Sequence, residues 1–294
     1  MSKPIRLFEG RFGRLVLAET STAGTSQARA EPLILLKVDG ADSAVSIGGA
    51  PQSLTREDAL FANPGEAAQT LGSANGAPAR VVAFHPALAW LRAGFPAAFE
   101  EAGGTMFPHP RETITPRLRQ LADTLAIEAL HDQFLSPERL EFMLQELMLS
   151  VIECYVARRR TGAALWRGSR FADMRIRKAL ALLRARPNKD VNIDDLASQV
   201  GLSRSRFYDL FQLCTGRSPR SYLDLLCVES AISKLSNGRT RIADVSAELG
   251  FSAQSNFTRF FLHQVGIPPS KYRRAVSSPP QASPGKPAAA DPRS

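Results

Sequence analysis

The chain has 294 residues, 44% apolar and 22% charged, with 37 Lys and Arg against 28 Asp and Glu and a formal net charge of +9 at pH 7. That length suits one large or two ordinary domains, each with its own core, and the composition excludes wholesale disorder. Three cysteines, Cys154, Cys214 and Cys227, cannot all pair internally, which excludes a disulfide scaffold and suits a reducing cytoplasm.

No apolar run approaches the roughly 18 residues of a spanning helix, and the N-terminal segment (Arg6, Glu9, Arg11, Arg14) lacks the apolar core of a signal peptide, so membrane and secretion readings fall. The charge is uneven: residues 1–160 hold 16 basic and 18 acidic side chains, net −2, and residues 161–294 hold 21 and 10, net +11. A basic excess confined to one half suggests a polyanion partner, nucleic acid before an anionic membrane surface.

Residues 12–84 are rich in Gly, Ala and Ser, with short apolar runs between turn signals: Leu15–Ala18, Pro32–Val38, Ala44–Ile47, Leu60-Phe61 and Arg80–Phe84. Such runs predict the strands of a small sandwich or barrel. The texture then changes. Pro116–His131 sets Leu118, Leu121, Leu125 and Ile127 or Glu128 at helical steps, and Ser136–Arg158 does the same with Leu140, Met143, Leu144, Leu147, Val151, Ile152 and Tyr155. Ser136, Pro137 and Glu138 supply a cap, a proline at the first helical position and an acid at the positive end of the dipole. Two such helices predict an antiparallel hairpin, Pro116–Arg158. Its stripe of Leu140, Met143, Leu144, Leu147, Met148 and Val151 is broad enough for a homodimer contact as well as for packing on the strands. Arg158–Arg160 reads as a solvated helix end, with a phosphate contact as the alternative. Residues 161–169 read as a linker in which Trp166 anchors the packing between domains.

Residues 170–275 contain an internal repeat. VNIDDLASQVGLSRSRFYDLFQLCTGRSPRSY (Val191–Tyr222) aligns with RIADVSAELGFSAQSNFTRFFLHQVGIPPSKY (Arg241–Tyr272). Asp195/Asp244, Leu196/Val245, Val200/Leu249, Gly201/Gly250 and Ser203/Ser252 are 49 apart, then Phe207/Phe257, Phe211/Phe261, Gly216/Gly266, Pro219/Pro269 and Tyr222/Tyr272 are 50 apart. Each copy has the makeup of a helix-turn-helix. A short apolar helix ends at a glycine that supplies positive φ. Ser203 or Ser252 is then positioned to cap a second helix. That helix buries Phe207, Leu210, Phe211 and Cys214, or Phe257, Phe260 and Phe261, leaving short polar and basic residues outward, as a helix entering a major groove needs. Pro219–Leu235 predicts a connecting helix of roughly 25 Å, which would set the two reading helices about one DNA turn, roughly 34 Å, apart.

On the elements DLASQVGLSRSRFYDLF, TGRSPRSYL, IADVSAELGFSAQSNFTRFF and GIPPSKYRR, residues 170–275 resemble the DNA-binding domain of AraC/XylS-family bacterial transcription regulators. The resemblance implies two helix-turn-helix units joined by a long helix. It implies a sequence-specific transcription regulator, an activator before a repressor or dual regulator, with double-stranded DNA and RNA polymerase as partners. By position it places base reading on Ser205, Tyr208 and Asp209 in the first unit and on Gln254, Ser255, Asn256 and Arg259 in the second. Arg259 is the strongest candidate, because arginine grips guanine O6 and N7 together. Arg204, Arg206, Arg217, Arg220, Lys271, Arg273 and Arg274 are phosphate-contact candidates, while Gly201, Ser203, Phe207, Phe211, Gly250, Ser252, Phe257 and Phe261 are structural. Asp209 stands where the family often has a basic residue, and is expected to accept from cytosine N4 or pair with Arg206. Cys227 stands where an arginine is common, and reads as a small buried side chain rather than a redox switch.

Residues 1–160 resemble, more weakly, the cupin-like regulatory domain and helical hairpin that precede many such DNA-binding domains. The expected fold is therefore α+β: an N-terminal cupin-like β-barrel with a helical hairpin, then a C-terminal all-α domain of two helix-turn-helix units, with 276–294 a disordered Pro/Ala/Ser tail. The resemblance leaves the N-terminal domain free to bind a small-molecule or protein effector. His85, His109, His131 and His263 are scattered singly and Phe61–Thr70 contains no His, so neither a metal nor a cofactor nor enzymatic activity is expected. The alternatives from other classes are an architectural DNA-binding protein and a cupin enzyme fused to a DNA-binding module.

Overall fold

The computed structural model describes residues 3–24, 27–73, 76–95, 105–131, 134–156, 166, 169 and 171–277. The Arg158–Arg160 run, most of the 161–169 linker and residues 278–294 of the tail lie outside them.

The N-terminal half is built on ten strands: β1 (Lys3–Gly10), β2 (Gly13–Thr20), β3 (Gln27–Ala28), β4 (Leu33–Gly40), β5 (Ser43–Ile47), β6 (Ala50–Leu54), β7 (Asp58–Ala62), β8 (Ala67–Ser73), β9 (Ala79–Pro86) and β10 (Arg111–Thr113). They form a six-stranded sheet, β1-β2-β9-β4-β7-β10, and a four-stranded sheet, β3-β8-β5-β6, with antiparallel pairing throughout. Each of the five apolar runs of the sequence falls on a strand, the second beginning one residue before β4. Period-two alternation divides the larger sheet between two cores. Ala18, Leu33, Leu35, Leu60 and Val81 face the smaller sheet, whereas Leu15, Leu17, Ile34, Leu36, Phe61, Val82 and Phe84 face the helices. Because β4 is buried on both faces it reads as a continuous apolar run. β1, β3, β6, β8 and β10 were not legible, since they carry few apolar residues or are very short.

A short helix, α1 (Leu88–Gly94), is followed by the hairpin α2 (Pro116–Leu130) and α3 (Pro137–Val151), the latter continued through Ile152–Val156 in a wider π-type turn. Thr115 and Ser136 cap the two, accepting from the amides of Leu118 and Arg139 at 3.3 Å, and each has proline at its start. The C-terminal half is helical: α4 (Met174–Ala185), α5 (Ile193–Gln199), α6 (Arg204–Thr215), α7 (Pro219–Ser236), α8 (Ile242–Glu248), α9 (Gln254–Val265) and α10 (Pro269–Ser277).

The hairpin stripe is taken up by packing inside the chain. Leu140, Met143, Leu144, Leu147, Met148 and Val151 are all buried within one chain. One apolar cluster runs from the larger sheet through the hairpin to Phe207, Phe211 and Tyr222. Trp166 is also internal, edge-on to Phe95 and Phe171 and under the Arg177 guanidinium at 4.8 Å, as expected of an anchor.

Candidate nucleic-acid interface

In the first unit, Asn192 caps α5 by accepting from the amides of Asp194 and Asp195, and Gly201 makes the turn at φ 72°. Ser203 caps α6 through the Arg206 amide. Phe207, Phe211 and Cys214 are buried, with Leu210 half-buried. Ser205, Asp209 and Gln212 are exposed, and Tyr208 is half-buried with the Arg204 guanidinium 5.8 Å from its ring centre. Arg204 is tied to Asp194 at 2.8 Å. Arg206 and Asp209 form no ion pair with each other among the described residues, so Asp209 stays available as an acceptor.

The second unit repeats this frame. α5 and α8 have 7 residues each, as α6 and α9 have 12 each. The register change falls between Gly250 and α9. One extra residue puts Ala253 rather than Ser252 at the cap, and no side chain caps this helix. Ser252 does not cap. Its hydroxyl instead accepts from Asn256 Nδ2 at 3.0 Å, and Asn256 Oδ1 accepts from Arg259 Nη2 at 2.6 Å. The chain Ser252–Asn256–Arg259 lies along the outward face beside exposed Gln254 and Ser255, holding the Arg259 guanidinium in place. Phe257 and Phe261 are fully buried, whereas Phe260 is only half-buried.

The phosphate-contact candidates divide. Arg206 and Lys271 are exposed, as is Arg274. Arg220 donates to Lys189 O at 3.1 Å and Arg273 to Thr240 O at 2.7 Å. Arg217 turns to the hairpin, donating to Glu138 O at 3.2 Å. Cys227 is fully buried and burial pushes its thiol up to about 12, so the thiolate needed for redox chemistry is suppressed.

A buried charged network, missed in the sequence, joins the hairpin to the helical half. Glu146 of α3 takes Arg184 of α4 at 2.7 and 3.0 Å, Arg117 of α2 at 3.1 Å and the Tyr222 hydroxyl. Arg117 also makes a two-pronged contact with Glu229 of α7, at 2.6 and 2.9 Å. Glu128 of α2 takes Arg139 and, at 2.8 Å, the Tyr272 hydroxyl. Burial raises the Glu146 carboxyl, but Arg184 and Arg117 outweigh it and hold the group below its usual range. Burial wins at Glu229, which must share Arg117 and lies near Glu146. The ambiguity between Ile127 and Glu128 at one helical step, and the matched Tyr222/Tyr272, were the available sequence signals.

Between the two sheets lies a cavity of about 440 Å³ lined by apolar Val16, Leu35, Val45 and Val81 and by Arg14, Arg29 and His85. Burial and the nearby Arg29 and Arg14 push His85 down to about 4, and its Nδ1 is buried without a hydrogen-bond partner among the described residues. No group of three or more His, Cys, Asp or Glu able to hold a metal occurs among the described residues, and no helix among them is long and apolar enough to cross a membrane.

Two helix-turn-helix units in tandem, each with its inner stripe buried and its outer face open, define a bipartite helix-turn-helix protein. Residues 196–275 match the family model described as a helix-turn-helix domain. The chain is 30% identical over 105 residues to an HTH-type transcriptional regulator of Haemophilus influenzae, covering 36% of this chain and 35% of the relative. It is 25% identical over 152 residues to an AraC-like transcription regulator of Streptomyces lividans, covering 52% and 50%. A solved AraC-type DNA-binding protein of Chromobacterium violaceum is 25% identical, with TM-score 0.33, covering 36% of this chain and 94% of that one. The matches span about a third to a half of these curated relatives' length. The C-terminal part of the chain is thus similar to helix-turn-helix regulators, AraC-like ones among them.

Proposed function

We propose that the protein is a sequence-specific DNA-binding transcription regulator in which the outer faces of α6 and α9 read two successive major grooves. The observation that carries this is the duplicated frame: Phe207/Phe211 and Phe257/Phe261 are buried at matched positions, while Ser205, Asp209, Gln254, Ser255 and Arg259 are exposed at matched faces. Ser205, Tyr208, Asp209, Gln254, Ser255, Asn256 and Arg259 are the base readers of this reading. Arg204, Arg206, Arg220, Lys271, Arg273 and Arg274 contact phosphates. Arg217, drawn to the hairpin, is the least suited of that set.

The inter-sheet cavity is the effector site in this reading, since a small molecule with both apolar and polar parts matches its lining. The division of labour follows 1–160 for regulation, 161–169 for linkage, 170–275 for DNA and 276–294 as tail. Activation through RNA polymerase, a cytoplasmic and nucleoid-associated location, and the lack of enzymatic activity belong to the same proposal.

Selection of binding sites from random duplexes by the full chain tests it. The expected result is a consensus of two half-sites about one helical turn apart. Tight binding with no consensus would make the protein architectural.

A further inference from the structure

We infer that the helical hairpin α2–α3 fixes the separation of the two reading helices by gripping the same tyrosine in each repeat. Tyr222 and Tyr272 are the last matched pair of the repeat, each in the first turn of the helix that follows its reading helix. Both side chains are fully buried. Each ring stands edge-on to a phenylalanine of its own reading helix, Phe211 at 5.4 Å and Phe261 at 5.5 Å. Each also touches a hairpin phenylalanine, Phe142 at 5.1 Å and Phe134 at 5.9 Å. Each hydroxyl donates to a buried hairpin glutamate, Tyr222 to Glu146 and Tyr272 to Glu128. The carboxylates are balanced by arginines, Arg184 and Arg117 for one and Arg139 for the other.

The two units are thus held at equivalent points by two helices that pack on each other. The Arg117–Glu229 pair adds a third point midway along α7. A tyrosine that reaches its own reading helix on one edge and a fixed carboxylate at its tip transmits the hairpin's geometry directly to that helix. Along the chain α7 joins the units in series, and the segment before α5 also touches the second unit, Lys189 N donating to Leu249 O at 2.9 Å; contacts to a common support add points on the reading-helix side that a bend in α7 would otherwise leave free. Resting on the DNA-reading proposal above, the consequence is that the hairpin determines which spacing of half-sites the full chain accepts.

The test uses the full chain with nitroxides at Gln212→Cys and Leu262→Cys, matched exposed positions of α6 and α9, in a Cys154→Ser background, with circular dichroism to verify folding. Pulsed electron resonance should give one narrow distance distribution for this parent. In Tyr222→Phe/Tyr272→Phe, which removes only the two hydroxyls, the width should at least double, and Arg117→Met should broaden it through the third point. A broad parent distribution, or an unchanged width in both variants, overturns the inference. Selection with half-sites offered at varied spacing is the second arm. The unlabelled natural chain should favour one spacing about tenfold over its neighbours, a difference of about 1.4 kcal/mol, and the double tyrosine variant should lose most of that preference. Equal preference across spacings by the natural chain overturns the link to specificity. If the natural chain returns no consensus at all, the DNA-reading proposal fails, and the label distances still decide whether the hairpin grips the two units.

Discussion

Arg259 and Arg206 are both exposed arginines on reading helices, yet they present different physics. Arg259 is oriented by Asn256, itself fixed on Ser252, so its guanidinium reaches outward along one direction. Arg206 is exposed at the start of α6, where a long flexible charge suits a phosphate. Arg259→Ala should therefore cost about 1–3 kcal/mol on the preferred site and relax selectivity at one or two base pairs. Arg206→Ala should weaken all sequences alike and lower the salt slope by about one counterion. Titrations on matched and single-mismatch duplexes check both, and unchanged selectivity in Arg259→Ala would remove it from the base readers.

His85 supplies a second test at this scale. Its native value of about 4 lies below the ordinary 6.5 because of burial, Arg29 and Arg14. A depressed native value means that the unfolded chain takes up the proton first as pH falls. The fold keeps its full stability from this group above pH 6.5 and loses it on the way down toward pH 4. The loss should be about 2–3 kcal/mol between pH 7 and pH 4.5. Urea unfolding of the natural chain and His85→Asn at both pH values isolates the histidine: the difference between the two proteins should shrink or reverse at the lower pH, and parallel curves would contradict the buried placement.

Among the elements, the two turns of the repeated unit look alike in sequence and differ in packing. Gly201 and Gly250 have φ of 72° and 75°. A Cβ on Gly201 would meet nothing within 4 Å, whereas one on Gly250 would lie 2.0 Å from Asn188 Oδ1. That oxygen accepts from the Asp190 amide at 2.8 Å and cannot move without releasing it. Gly201→Ala should cost about 1 kcal/mol for the left-handed backbone alone, and Gly250→Ala distinctly more. Equal melting temperatures for the two variants would contradict this packing.

The same contrast explains what the sequence made legible. Strands buried on a face announced themselves as apolar runs, and the helix-turn-helix frames as matched Gly, Phe and Tyr, because burial demands particular side chains at particular spacing. β8, with no buried residue, left no such trace. Ser252 reads as a cap in the sequence yet stands one residue too early, because the extra residue in the turn shifts the register after it and the repeat places that residue only to within the turn. The network around Glu146 escaped because polar residues in a helix ordinarily face water, and nothing local to Arg117, Glu146, Arg184 or Glu229 announces that distant charges will cover them.

At the scale of the whole molecule, that network decides whether the two halves melt together. Glu146 has no exposed side-chain surface, and its partners Arg184 and Arg117 are 11% and 21% exposed. Such a cluster stabilises little relative to a well-packed apolar one, because desolvation offsets most of the attraction, but removing one member leaves the others buried without a counter-charge. Glu146→Ala takes from Arg184 its two-pronged partner, leaving only Glu153 at 3.4 Å, leaves Arg117 on Glu229 alone, and removes the acceptor of the Tyr222 hydroxyl. It should cost about 3–5 kcal/mol, a large share of the ~5–15 kcal/mol typical of a folded protein. The cost falls on the junction, since Arg184 and Tyr222 belong to the helical half and Arg117 and Glu146 to the hairpin. Calorimetry should therefore show one cooperative transition for the natural chain and two separated ones for Glu146→Ala, the DNA-reading half melting apart from the sheets. Replacing the pair together, Glu146→Leu with Arg184→Met, removes the stranded charge and should restore part of the lost stability and bring the transitions back together. A Glu146→Ala protein that melts within 1 kcal/mol of the natural chain, in one step, would mean that water reaches these charges and that the junction is not the closed interface the structure presents.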